Sequence, residues 1–198
     1  SMIHGAEITR CSGTNSVYPG TLLDLSCTLG FIEVTGFMSC NIIKSDLLRK
    51  GYESKNLDTY SKSSFAHSLV FMEVLANEQC AFADIPIVEL QDKEQTAETV
   101  RRWTEYNICM GYNYVADGLK ALVDDGVIPT KLTDAFFRYL EGNLFGKMLY
   151  TFWTECNQTA KQVDNEEWER LVSMTNFLSE ESQKTMVETI AEYKTRLD

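Results

Sequence analysis

The chain has 198 residues, 44% of them hydrophobic and 24% charged, with three prolines and 11 glycines, which fits one globular domain spanning 1–198 and excludes a disordered tail. Its 29 acidic against 18 basic residues give a net charge of −11 that repels a phosphate backbone, and no Lys/Arg-rich run gathers the basic minority into a stripe. Nucleic acid is therefore not an expected partner.

The six cysteines, Cys11, Cys27, Cys40, Cys80, Cys109 and Cys156, are scattered without a Cys-x-x-Cys pair. With only His4 and His67 to help, neither a metal site nor a cofactor is expected. Cys40, Cys109 and Cys156 lie in apolar periodic stretches and read as free buried thiols of a reducing, cytoplasmic compartment. No stretch approaches the roughly 18 uncharged apolar residues of a membrane span, and the N-terminus lacks a basic region followed by an apolar run. The Asn157-Gln158-Thr159 glycosylation pattern falls inside a predicted helix and is discounted.

In chain order, Gly13, Pro19 and Gly20 mark residues 1–25 as an irregular N-terminal arm. Phe31, Val34, Met38, Ile42, Ile43 and Leu47 then recur at helical spacing, closing on Arg49, Lys50 and Gly51, cations in a last turn before a glycine able to take a left-handed cap. Residues 51–62 are polar. Phe65, Leu69, Val70, Met72, Val74 and Leu75 give a second helix, and residues 81–90, carrying Pro86, read as an extended connection.

Asp92 and Gln95 form a capping-box pattern that opens a helical stretch through Val100, Trp103, Met110, Tyr114, Leu119 and Leu122, ending at Asp124-Asp125-Gly126. Gly111 and Gly118 leave open whether it is one helix or two. Pro129 and Thr130 start a short helix with Leu132, Phe136, Phe137 and Leu140 on its apolar side, stopped at Gly142. Residues 144–153 (LFGKMLYTFW) are apolar nearly all round, which predicts a helix at the centre of the bundle. Asp164 with Glu167 starts the next helix, and Ser179 with Glu180 and Glu181 starts the last. The expectation is an all-α bundle of seven or eight helices around one central hydrophobic helix.

Chemistry is scarce. His67 sits in an apolar run, where a core histidine is the plainer reading, and no phosphate loop, Gly-x-Ser-x-Gly or His-Glu-x-x-His occurs. The pairs Asp124/Asp125, Glu166/Glu167 and Glu180/Glu181 fall at helix ends, where carboxylates cap or complement the dipole. No catalytic site is expected, and binding through a groove between helices is the better fit to such a chain.

Residues 141–147 (EGNLFGK), opening the most hydrophobic helix, resemble the first homology motif of the Bcl-2 family of apoptosis regulators, Asp-Gly-x-Asn-Trp-Gly-Arg. Glu141 stands for the Asp, Gly142 and Gly146 for the glycines, Phe145 for the Trp and Lys147 for the Arg, while Leu144 departs from the Asn. Residues 37–52 (FMSCNIIKSDLLRKGY) resemble the fourth motif. The third is ambiguous between residues 72–78 (MEVLANE) and residues 100–105 (VRRWTE), of which the second suits a groove wall better, and the Gly-Gly-Trp of the second motif is absent.

The resemblance implies a divergent Bcl-2-like bundle. It would bind the amphipathic third-motif helix of pro-apoptotic partners in a hydrophobic groove, most simply on the survival side. Groove residues would be Trp103, Phe136, Phe137, Leu140, Glu141, Phe145, Gly146, Lys147 and Tyr150, with Lys147 facing the ligand carboxylate. A lysine there keeps the charge but lacks the planar fork of arginine. The resemblance also implies a cytoplasmic protein acting at the mitochondrial outer membrane or the endoplasmic reticulum, through a membrane segment outside this sequence. Two alternatives remain beside it: a pro-apoptotic, membrane-permeabilising member of the same fold, and a helical interaction module with no apoptotic role.

Overall fold

The computed structural model describes residues 17–36, 41–83, 105–141 and 145–197. Among them the chain is mostly helical, with ten α-helices and one two-stranded sheet. Strand β1 (Val17–Thr21) pairs antiparallel with β2 (Gln79–Ala83), Val17 opposite Ala83 and Thr21 opposite Gln79. Tyr18 and Phe82 meet across the pair, ring centroids 6.4 Å apart. Helix α1 (Leu22–Leu29) follows without a gap, its N-cap Thr21 accepting a bond from the Asp24 N–H at 3.1 Å. This corrects the irregular arm over residues 1–25, because Val17 onward is strand and then helix. Five residues that include a proline and a glycine carry little strand signal of their own, and their pairing partner is distant in sequence.

The predicted helix from Phe31 to Gly51 is also corrected. Helix α2 (Phe31–Thr35) and helix α3 (Ser45–Gly51) are separate, with residues 41–44 non-helical between them. Gly51 does not take a left-handed cap. It is buried within α3, and a β-carbon there would lie 2.2 Å from Val70 Cγ1, so the missing side chain lets α3 press onto α5 (Ala66–Leu75). The polar stretch before α5 contains the single turn α4 (Leu57–Tyr60), whose Tyr60 is fully buried. Ser54 Oγ donates to Glu73 Oε2 at 2.6 Å, while Lys55 Nζ and Asn56 Nδ2 reach the two oxygens of Asp125 at 2.7 and 2.8 Å. The first bond ties the α3–α4 link to α5, and the other two tie it to the far end of the next long helix.

That helix, α6 (Glu105–Asp124), runs unbroken through Gly111 and Gly118. A β-carbon at Gly118 would come 2.4 Å from Leu69 Cδ1, and one at Gly111 would come 3.0 Å from Ser64, so the glycines seat α5 against α6 rather than interrupt it. The helix ends as expected, with Gly126 in the left-handed region at φ 69°. Cys109, Met110, Tyr112, Asn113, Val115, Ala116, Leu119 and Leu122 are all buried. Helix α6 packs against α4, α5, α7 (Thr130–Tyr139), α8 (Phe145–Thr159) and α9 (Asn165–Met174). The centre of the bundle therefore belongs to α6 and not to the helix grown from residues 144–153. Helix α8 buries Phe145, Met148, Leu149, Phe152 and Cys156 on one side and leaves Tyr150 56% exposed on the other. Tyr, Trp and Thr count as apolar or neutral in a pattern, yet each can present a polar tip to water.

At α9 the expected capping box is present: Asp164 Oδ1 accepts from the Glu167 N–H at 2.9 Å, and Glu167 Oε2 accepts from the Asp164 N–H at 3.0 Å. A short turn (Thr175–Phe177) leads to α10 (Glu180–Leu197), which packs on α8, α9 and that turn. The Asp92/Gln95 capping pattern, Pro86, Cys11, Cys40, the first four residues of the fourth-motif resemblance and Gly142 to Leu144 lie outside the described residues.

Candidate functional site

The site begins at the first turn of α8. Phe145 is 2% exposed, while Gly146 and Lys147 at the same turn are exposed, and among the described residues Lys147 has no ion-pair partner. The aromatic side of α7 enters the core. Phe136 stacks on Tyr112 of α6, centroids 6.2 Å apart and planes 11° apart, and meets Phe31 of α2 edge-on at 6.3 Å. Phe137 lies edge-on to Phe136 at 5.4 Å. Burial also pushes the Tyr112 phenol well above its ordinary range, with Tyr139 and Glu33 adding to the effect.

The predicted groove residues therefore divide. Phe136, Phe137, Leu140 and Phe145 are buried side chains of the core rather than walls of an open channel. Gly146, Lys147 and Tyr150 form the accessible part, and Trp103 lies outside the described residues. Residues 72–78, one candidate for the third motif, close α5: Met72 and Leu75 are buried, and Asn77 and Glu78 are exposed. Residues 100–104 of the other candidate are outside the described residues.

Glu141 has a definite task. Its Oε1 accepts the Ser179 N–H at 3.0 Å, joining the end of the α7 segment to the start of α10. Bonds from Ser179 and Ser182 hold its carboxyl below the usual carboxylate range. Ser179 Oγ also bonds Ser182 Oγ at 3.1 Å, and Gln183 Nε2 donates to Asn176 Oδ1 at 2.9 Å, so the connection between α9 and α10 is tied at both sides. From that connection Phe177 lays its ring on Phe137, centroids 4.0 Å apart and planes 6° apart, while remaining 50% exposed.

Along α8 a second aromatic row faces α10. Tyr150 and Trp153 are 6.3 Å apart, Trp153 stacks on Tyr193 at 5.0 Å, and the Arg196 guanidinium sits 5.9 Å over the indole. Trp153 Nε1 is shielded from solvent and has no acceptor among the described residues. A β-carbon on Gly146 would lie 3.8 Å from Met186 Cε, so α10 passes beside the motif glycine without crowding it. Sequence reasoning missed Phe177, Trp153 and Tyr193 at this surface. Phe177 carries an ordinary helical-pattern signal, and only its place in a turn turns it outward.

Burial raises the pKa of Cys27 and Cys80 and pushes Cys156 up to about 11, so all three stay protonated at neutral pH. His67 Nε2 lies 2.9 Å from the Gly36 carbonyl, which can only accept, so that nitrogen carries the proton and the ring pins α2 to α5. Among the described residues no group of three or more His, Cys, Asp or Glu is placed to hold a metal ion, and no helix is long and apolar enough to cross a membrane. The chain matches no family model, no curated protein and no solved structure.

Proposed function

We propose that the chain is a divergent Bcl-2-like domain that binds the amphipathic third-motif helix of a pro-apoptotic partner and acts on the survival side. The observation that carries the reading is the first turn of α8, where Gly146 and Lys147 of the motif-like stretch are exposed next in sequence to buried Phe145. A bare glycine permits close backbone approach, and the exposed lysine beside it, without an ion-pair partner among the described residues, offers a charge to a ligand carboxylate. The apolar residues of a partner helix at i, i+3, i+4 and i+7 would meet the aromatic floor beside that turn. Cytoplasmic action at the mitochondrial or endoplasmic-reticulum surface belongs to the same reading.

Tyr150 and Trp153 extend the accessible aromatic surface beyond the resembled motif. That extension favours a second reading, a helical interaction module for a partner outside apoptosis. Calorimetric titration with third-motif peptides from killer proteins, beside sequence-scrambled controls, separates the two. Under the first reading some peptides bind below micromolar and Lys147→Glu weakens them by about tenfold, the loss of one charge-assisted contact. Unchanged affinity in Lys147→Glu contradicts the assigned role. The permeabilising alternative is tested on anionic liposomes loaded with dye, where a survival protein leaves the dye retained.

A further inference from the structure

Four aromatic rings run in contact from the central helix to solvent: Tyr112, Phe136, Phe137 and Phe177. The first three are buried, and the fourth is 50% exposed. Phe177 lies on a three-residue turn rather than in a long helix, so moving it does not require unwinding α9 or α10. Thr175, fully buried and donating to the Val172 carbonyl, anchors the start of the turn, and beyond it the segment is held by half-buried Leu178, the ring stack on Phe137, and polar bonds that include the Ser179 N–H to Glu141 Oε1. By contrast, Phe137 is fixed from behind by Phe136, which is itself fixed by Tyr112 and Phe31. A rigid aromatic floor is thus covered by one half-exposed ring that lies two residues beyond a buried anchor.

We infer that residues 176–179 form a lid hinged on buried Thr175, that Phe177 fills in the free protein the slot over Phe137 that an apolar anchor of a partner helix takes in the complex, and that Glu141 latches the lid through Ser179. The inference rests on the reading of this face as a helix-binding surface and adds how that surface is regulated. The slot takes a flat aromatic or branched aliphatic side chain, because the occupant already in place is a phenyl ring lying parallel to its floor. Partner affinity is then the intrinsic affinity scaled by the fraction of molecules with the lid open. Loosening the latch without touching the floor must strengthen apolar binding, an effect opposite in sign to that of a residue that merely supports the fold.

The test is titration of the full chain with Nile red, a neutral dye whose binding does not respond directly to a lost carboxylate, in Phe177→Ala, Glu141→Ala and Glu141→Gln. Amide exchange across residues 175–183 and across α6 is followed in the same samples. Glu141→Ala is expected to bind the dye about threefold or more tighter than the parent, Phe177→Ala tighter still, and Glu141→Gln close to the parent because its amide oxygen still accepts from Ser179. Exchange should accelerate in residues 175–183 and stay unchanged in α6. The lid is overturned if Glu141→Ala speeds exchange at Ser179 without strengthening dye binding, or if any gain comes with faster exchange throughout α6. Should Phe177→Ala fail to fold, the two Glu141 variants decide alone. Third-motif peptides that stay silent while the dye response holds remove the proposed partner and support the lid; peptides that bind equally to parent and Glu141→Ala remove the lid and leave the partner.

Discussion

The two sides of α6 are closed in different ways. On one side α5 sits against glycines, with Leu69 over Gly118 and Ser64 over Gly111, and little free space remains between the helices. On the other side the α7–α9–α10 region is closed by ring stacks that reach solvent, Phe137 on Phe177 and Trp153 on Tyr193, and by a carboxylate bonded to a helix start. Interdigitated packing resists partial opening because separating the helices costs many contacts at once. A stacked ring and a surface hydrogen bond can be lost singly. The molecule therefore has a half held by interlocked packing and a half held by contacts that can open one at a time.

Removing one side chain from each half gives the largest expected contrast. Leu119 is fully buried in α6, and Leu119→Ala should cost about 2–5 kcal/mol of stability, read as a lower urea midpoint. Phe177 is 50% exposed, and Phe177→Ala should cost only about 0.5–1.5 kcal/mol, the value of an aromatic pair. Similar losses in the two variants would erase the distinction. Next in size, Asp164→Ala removes the capping oxygen of α9 and should cost about 1 kcal/mol without changing exchange in α5, measured by chemical denaturation with exchange mass spectrometry.

The smallest effect is the response to acid, and it bears on both halves. Hydrogen bonds from Lys55 and Asn56 lower the pKa of Asp125, and bonds from Ser179 and Ser182 lower that of Glu141. Folded-state values below the unfolded ones mean stability that is fully present above the unfolded pKa and is lost as pH falls through the folded one. Both carboxyls are fully ionised at neutral pH, so urea midpoints should be flat from pH 7 to about 5.5 and decline below pH 4.5, the ordinary value for the Glu141 group. Asp125→Asn should flatten part of that decline, and Glu141→Gln another part. An acid response identical in both variants and the parent would show that neither contact matters.

Both halves were legible in the sequence wherever periodicity and caps agreed. Helix α6 ends at the glycine expected of it, and the Asp164 box forms as its spacing requires. The β1–β2 ribbon was not legible, since VYPGT contains two strand-weakening residues and nothing local names QCAFA as its partner. Helix α8 misled because Tyr150 and Trp153 register as apolar in a pattern while standing partly in water. At the candidate site, Gly146, Lys147 and Tyr150 stand at the surface. The aromatics around them went inward, because a buried phenylalanine gains more from a core of rings than from an open groove. Phe177 escaped notice because which way a residue in a turn points is set by packing between helices and not by spacing.

The central claim is that a partner helix engages the openable half at the start of α8. It is tested most directly by titrating the isotopically labelled chain with a third-motif peptide and mapping which backbone amides shift. The account predicts binding below micromolar, with the largest shifts at Gly146, Lys147 and Phe177 and little change at Gly118 and Leu69. Shifts centred on the α5–α6 face, or none across a panel of such peptides, would contradict it.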